Sequence, residues 1–197
     1  AIADLTAAET LLETYDINGV GVNTYTASAY LSRIYLQQSR FEEAALKADR
    51  VIGANLFTLV SNPVSAFNNT TNTTEDVFAI QQNTNSNAGT SNSGLATHYA
   101  CLNGQGRGDI IINEQHLAKY EPGDLRGQVK TDLKPSATFV EVPTMFYIGI
   151  GQTNSGFVNI VKWGDATKNI PVIRLSEMYL TRAEGNFEAG TTHGANP

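Results

Sequence analysis

Hydrophobic positions repeat with a helical period at both ends of the chain and lose it in the middle. Leu5, Leu11 and Leu12, with Glu9 among them, form a short amphipathic start, which the glycines of "DINGVGVN" break. From Thr26 the pattern sharpens. Ala27, Tyr30, Leu31, Ile34 and Tyr35 fall at i, i+3, i+4, i+7 and i+8, which predicts an amphipathic helix. A second helix is predicted from about Arg40 to Ile52, with Phe41, Ala44, Ala45, Ala48, Val51 and Ile52 on one side. Only "QQSR" separates the two, a turn short enough to make them antiparallel.

From Ser61 to Asp165 the helical period is absent. "EDVFAIQQN" alternates weakly and predicts a short strand. "NTNSNAGTSNSGLATHYACLNGQGRGD" reads as a long polar loop, and loops of that length are commonly functional. "IINEQHLAKYEPGD" predicts a short helix capped by Asn113 and ended by Pro122-Gly123. "TFVEVPTMFYIGIG" and "GFVNIVKWGD" read as the arms of a hairpin around "GQTNSG", with Pro143 placing the first arm at an edge. A last helix is expected from Ile170-Pro171, proline standing in its first turn. Leu175, Met178, Tyr179, Arg182, Ala183, Asn186 and Phe187 track one face of it. The fold class is therefore mostly α with an irregular lobe of loops and short strands. Its parts are a helical region at 1–60, the lobe at 61–165 and a return to the helical scaffold at 166–197, together one domain.

The first hairpin matches the tetratricopeptide repeat, a unit of about 34 residues. Leu31, Ser32, Tyr35, Phe41 and Ala44 take its Leu, Gly, Tyr, aromatic and Ala slots, while Ser28 and Ala48 stand where large aromatics are usual. Small residues at Ser32 and Ala44 let two backbones approach, and Tyr35 and Phe41 fill the space beside them. One such repeat cannot bury its own face and needs neighbours. In the last helix Ala183 takes the small slot and Gly190 the turn slot, so "TTHGANP" stands where a second repeat helix would begin. An exposed apolar stripe along Met178, Tyr179 and Phe187 is expected.

Composition narrows the function classes. Of 197 residues 41% are hydrophobic, enough for one core, and the net charge is −6 with the Lys and Arg scattered, which argues against nucleic acid. No apolar run approaches the roughly 20 residues of a membrane span. "AIADLTAAETLLETYD" lacks the basic start of a signal peptide. Cys101 is the sole cysteine, which leaves no disulfide or thiolate zinc site within the chain, and it is expected to be buried. His98, His116 and His193 lie far apart, and no G-x-S-x-G elbow occurs, so no catalytic residue, metal site or cofactor is expected. "GQGRGD" lacks the strand-to-helix context and Lys-Ser/Thr of a phosphate loop, and its Arg107-Gly108-Asp109 reads as a tight surface turn. Asp124 and Arg126 read as structural, capping and pairing at a helix end. Arg174, Glu177, Arg182 and Glu184 suggest a salt-bridged helix face. Asn68, Asn69 and Asn72, which begin N-x-Thr sequons, read as an Asn/Thr-rich loop.

Three stretches, in order, resemble the SusD/RagB-like outer-membrane lipoproteins of Bacteroidetes. They are "AYLSRIYLQQSRFEEAALKADRVIGANLFTLV", "EDVFAIQ" with "INEQHLAKYEPGDLRG", and "VKWGDATKNIPVIRLSEMYLTRAEGNFEAG". The last is close to that family's "N-x-P-V-I-R-L-A-E-V-Y-L-x-R-A-E-A" signature, with Ser176 and Gly185 replacing alanines. The resemblance implies tetratricopeptide hairpins beside a loop lobe, and a chain corresponding to the middle portion, truncated at both ends. It also implies a non-catalytic, outward-facing lipoprotein of the cell outer membrane that binds glycan for polysaccharide uptake. Its partner would be a TonB-dependent SusC-like transporter, and its lipid anchor would lie outside residues 1–197. The alternative is a tetratricopeptide scaffold of the transporter complex without sugar contact. Glycan sites set aromatic rings among amide, carboxylate and guanidinium groups. Tyr99 with Asn103 and Arg107, and the sole tryptophan, Trp163, are therefore the candidate ligand-binding residues, against packing of Tyr99 over Cys101 and Leu102 and a core role for Trp163. Tyr147 is expected in the core.

Overall fold

Asn23 starts the first long helix: its side-chain oxygen accepts from the backbone N–H groups of Tyr25 (2.9 Å) and Thr26 (3.0 Å). The Thr26 hydroxyl completes a reciprocal capping box. In the computed structural model, which describes residues 1–14, 21–88, 94–151 and 153–194, this is α2, Thr24–Gln37. It follows α1, Ile2–Leu11, and precedes α3, Phe41–Gly53. The turn at Ser39 takes a left-handed φ of 56°, and Ser32 Oγ donates to Ala44 O (3.0 Å), so the small slots face each other as the repeat requires.

The chain divides into two compact units: 1–60 with 72–80 and 171–197, and 61–71 with 81–170. The strand in "EDVFAIQQN", β1 (Asp76–Ile80), thus falls in the helical unit, although the loop-rich lobe was expected to run unbroken over 61–165. In the loop-rich unit lie α4 (Leu95–Tyr99), α5 (Glu114–Leu117), β2 (Val129–Lys130), β3 (Phe146–Ile148) and β4 (Val158–Ile160). β5 (Ile170–Arg174) pairs with β1, and α6 (Leu175–Ala189) closes the described fold. The whole is helix-dominated with small sheets, as the hydrophobic pattern predicts.

Three readings of local sequence are corrected. The last helix begins at Leu175, because Ile170, Val172 and Ile173 belong to a strand whose partner is β1. "TFVEV" contributes a 3-10 turn at Phe139–Glu141, and β3 is the middle strand, parallel to β2 and antiparallel to β4, so Pro143 precedes the strand and marks no edge. Three of the residues expected to form a salt-bridged helix face pair instead with distant segments: Arg174, the last residue of β5, with Glu75 (2.7 Å), and on α6 Glu177 with Arg33 (2.6 Å) and Arg182 with Asp49 (2.8 Å).

The helical core gathers Ala29, Ala48, Val51, Phe57, Val77, Ile173, Leu175 and Met178. Met178 is fully buried and Tyr179 packs against that cluster, so the exposed stripe of α6 runs instead through Leu180 (71% exposed) and Phe187 (83%), one heptad apart. α6 meets α3 closely because Gly185 carries no Cβ; one there would lie 2.6 Å from Phe41 O and 3.0 Å from Ala45 Cβ. On α1, the nearly buried Glu9 carboxylate joins Lys47, Arg50 (3.0 Å) and the Ser28 hydroxyl (2.6 Å).

Gly185→Ala gains about 1 kcal/mol of helix propensity but forces a backbone contact, so a net loss of about 1–3 kcal/mol is expected; urea melts check it. Burial alone would raise the Glu9 pKa, yet Lys47, Ser28 and Arg50 outweigh it and hold the group below its ordinary value. A depressed folded pKa means stability that is complete above pH ~4.5 and is lost as pH falls through the folded value. Glu9→Gln is therefore expected to cost about 1–2 kcal/mol at neutral pH, with the gap between the two proteins narrowing at about pH 3.

Candidate functional site

The sole tryptophan lies in the loop-rich unit, on the turn "VKWGD" that follows β4. Trp163 has a left-handed φ of 57°, a costly conformation for a bulky residue. What holds it is Asn68. Its amide donates to Val161 O (2.8 Å) and its carbonyl accepts from Asp165 N (3.2 Å), clamping both sides of the turn. Asn68 is itself left-handed at φ 59°, which Asn tolerates better than most residues. Gly164 completes the arrangement, since any Cβ there would run into the Phe139 ring.

Trp163 is half-buried and joins two rings edge to face, Tyr99 (centroids 5.1 Å apart) and Phe67 (6.4 Å). Tyr99 is the last residue of α4, and Lys162 lies over the Phe67 ring at 5.0 Å. Two hollows flank this row and share Asp165 as a lining residue. One is bounded by Trp163, Gln82, Leu95 and Ile170; the indole Nε1 is buried without a hydrogen-bond partner among the described residues. The other, of about 330 Å³, is bounded by Phe67, Asn68, Phe139 and their neighbours. Asp165 Oδ1 accepts from the Thr167 N–H (2.9 Å) and hydroxyl (2.8 Å), which fixes its orientation.

Of the candidates read from sequence, Tyr99 and Trp163 come together. Asn103 stands exposed on the tight turn closed by Leu102 and Gln105. Arg107 is anchored by its backbone N–H on Thr97 O (2.7 Å), and its guanidinium holds Asp109 (2.6 Å). Arg107, with His98, keeps the Asp109 carboxyl below the usual range. The Arg-Gly-Asp tripeptide is therefore an internally paired turn. Asp124 likewise caps Arg126 N (2.8 Å) and pairs with its guanidinium (2.7 Å), the structural role expected. Cys101 is buried, and Tyr147 is a fully buried residue whose phenol accepts from Cys101 N (2.8 Å); burial pushes its pKa up. Among the described residues no group of His, Cys, Asp and Glu could hold a metal. Sequence reading missed Phe67 and Asn68. Neither carries a local signal of its role, because their partners lie some ninety residues further along.

No protein-family model matches the chain, and no curated protein sequence does. Solved structures do. A SusD superfamily protein from Bacteroides thetaiotaomicron is 23% identical with a TM-score of 0.70, over 96% of this chain and 42% of that one. A SusD superfamily protein from Parabacteroides distasonis is 17% identical with a TM-score of 0.73, over 96% and 45%. A SusD-like carbohydrate binding protein from Bacteroides vulgatus is 16% identical with a TM-score of 0.64, over 96% and 39%. The chain thus has the SusD-like fold that its signature stretches suggested, and spans less than half the length of these structures.

Asn68→Ala is expected to release the Trp163 turn. Tryptophan emission should shift to longer wavelength and acrylamide quenching should rise, while far-ultraviolet circular dichroism stays close to wild type.

Proposed function

We propose that this chain belongs to a non-catalytic glycan-binding protein that captures polysaccharide or oligosaccharide at the cell surface. The observation that carries the reading is the row of Tyr99, Trp163 and Phe67 in the loop-rich unit, fixed by Asn68 and bordered by hollows with carboxylate, amide and ammonium groups. Rings held rigid in this way lose little entropy when a sugar stacks on them. The SusD-like fold supports the same reading, since one similar structure is described as a carbohydrate binding protein. In this proposal Tyr99 and Trp163 contact the sugar, with Asn103 and Arg107 as further polar partners. The wider setting, an outward-facing lipoprotein of the outer membrane working with a SusC-like TonB-dependent transporter, belongs to the proposal as well. A scaffold role without sugar contact is the second reading, favoured by the exposed Leu180 and Phe187 on α6.

Affinity electrophoresis through gels containing plant, host and microbial polysaccharides separates the two. Retardation by at least one polymer is expected, weakened about tenfold by Tyr99→Ala or Trp163→Phe. Unchanged mobility in every gel would instead support the scaffold.

A further inference from the structure

The second hollow is unlike a sugar-stacking surface. Its walls are Val64, Val140, Val142 and Pro143 together with the rings of Phe67 and Phe139. Branched aliphatic groups offer no flat face for a pyranose ring, but they suit a methyl group. Val140 stands 95% exposed, an apolar residue left in water. The polar groups beside this wall are Asn62, Ser65, Asp165 and Lys168. The carbonyl of Asn62 accepts from Val64 N, which leaves its amide N–H groups to donate. Ser65 Oγ donates to Asn62 O and keeps lone pairs to accept. Asp165 has its second oxygen to offer, and Lys168 an ammonium.

We infer that this hollow receives the acetamido group of an N-acetylated sugar, so that the glycans bound by this protein carry N-acetyl substituents. The inference rests on the glycan-binding reading above. An acetamido group presents a methyl, a carbonyl acceptor and an N–H donor on one neutral unit. The methyl lies against the aliphatic wall, the carbonyl accepts from Asn62 or Lys168, and the N–H donates to Asp165 or Ser65. Asp165 and Lys168 carry opposite charges, so the hollow offers no net charge to favour a uronate or a free amino sugar over a neutral substituent. A plain hydroxyl leaves the aliphatic wall uncovered. At about 330 Å³ the hollow also has room for part of the ring that bears the substituent, in keeping with ligand pockets of about 300–1,000 Å³.

Calorimetric titration of the whole chain with three tetrasaccharides tests this: chitotetraose, its fully de-N-acetylated form and cellotetraose. Chitotetraose is expected to bind about tenfold more tightly than either of the others. Val140→Asp, at a position exposed enough to leave folding intact, should abolish that preference, and so should Val64→Ser. Equal affinity for the acetylated and non-acetylated oligomers would overturn the inference and leave glycan binding standing. So would persistence of the preference in both variants, or retardation by other polysaccharides with no chitotetraose binding. Failure of every glycan, polymers included, would overturn both readings together.

Discussion

The helical unit depends on the return of residues 171–189 to a core begun by α2 and α3. Burial drives that return but does not aim it, because apolar attraction has no direction. Aim comes from two other sources. Gly185 permits a backbone-close crossing on α3 that a larger residue would hold apart. Three guanidinium–carboxylate pairs then tie the returning segment to Glu75, just before β1, and to α2 and α3. The Arg33–Glu177 pair is bidentate, and the same guanidinium donates to Val172 O (2.7 Å), linking β5 and α6 through one side chain. These pairs are largely buried, so desolvation offsets much of their attraction, but their geometry disfavours a slipped register.

The loop-rich unit meets a different constraint. Its strands are short, so many backbone groups lack ladder partners and must find them elsewhere. Asparagine side chains supply them. Asn68 satisfies Val161 and Asp165; Asn169 accepts from Gln82 N (3.0 Å) and donates to Gln81 Oε1 (2.9 Å). Asn159, fully buried, donates to Phe157 O (2.9 Å). The Asn-rich composition, which at first suggests only solvated loop, is thus part of the architecture.

What sequence conveyed and what it withheld divide along the same line. The α2–α3 hairpin was legible because its rules are local: a helical period, two small slots and a four-residue turn. α5 was legible from its cap, and Asn113 does accept from Gln115 N (2.8 Å). β5 was misread because Ile170-Pro171 satisfies the local rule for a helix start, whereas pairing with β1, about ninety residues away, decides the matter. The charges on α6 failed for the same reason, i, i+3 spacing being local and their partners distant. Tyr99 and Trp163 were each legible as aromatic residues on polar segments. Their meeting was not, nor was the part of Phe67 and Asn68 in it.

The conformation of Trp163 calls for a physical reason more than its exposure does. A bulky residue at φ 57° costs the fold free energy, about 1–3 kcal/mol for such sites. A tryptophan serving only to fill a core has no need of it, since ordinary backbone delivers a ring to a core equally well. Here the left-handed turn, the Asn68 clamp and the bare Gly164 act together, and they leave Trp163 in edge-to-face contact with Tyr99 and Phe67 with its N–H unpaired among the described residues. Among the described residues the indole N–H meets no acceptor, and the hollow beside it, about 10 Å³, has room for one water to serve as one. The cost of the left-handed turn is offset by what it arranges, a tryptophan ring fixed edge to face between Tyr99 and Phe67 by a side chain some ninety residues distant in sequence.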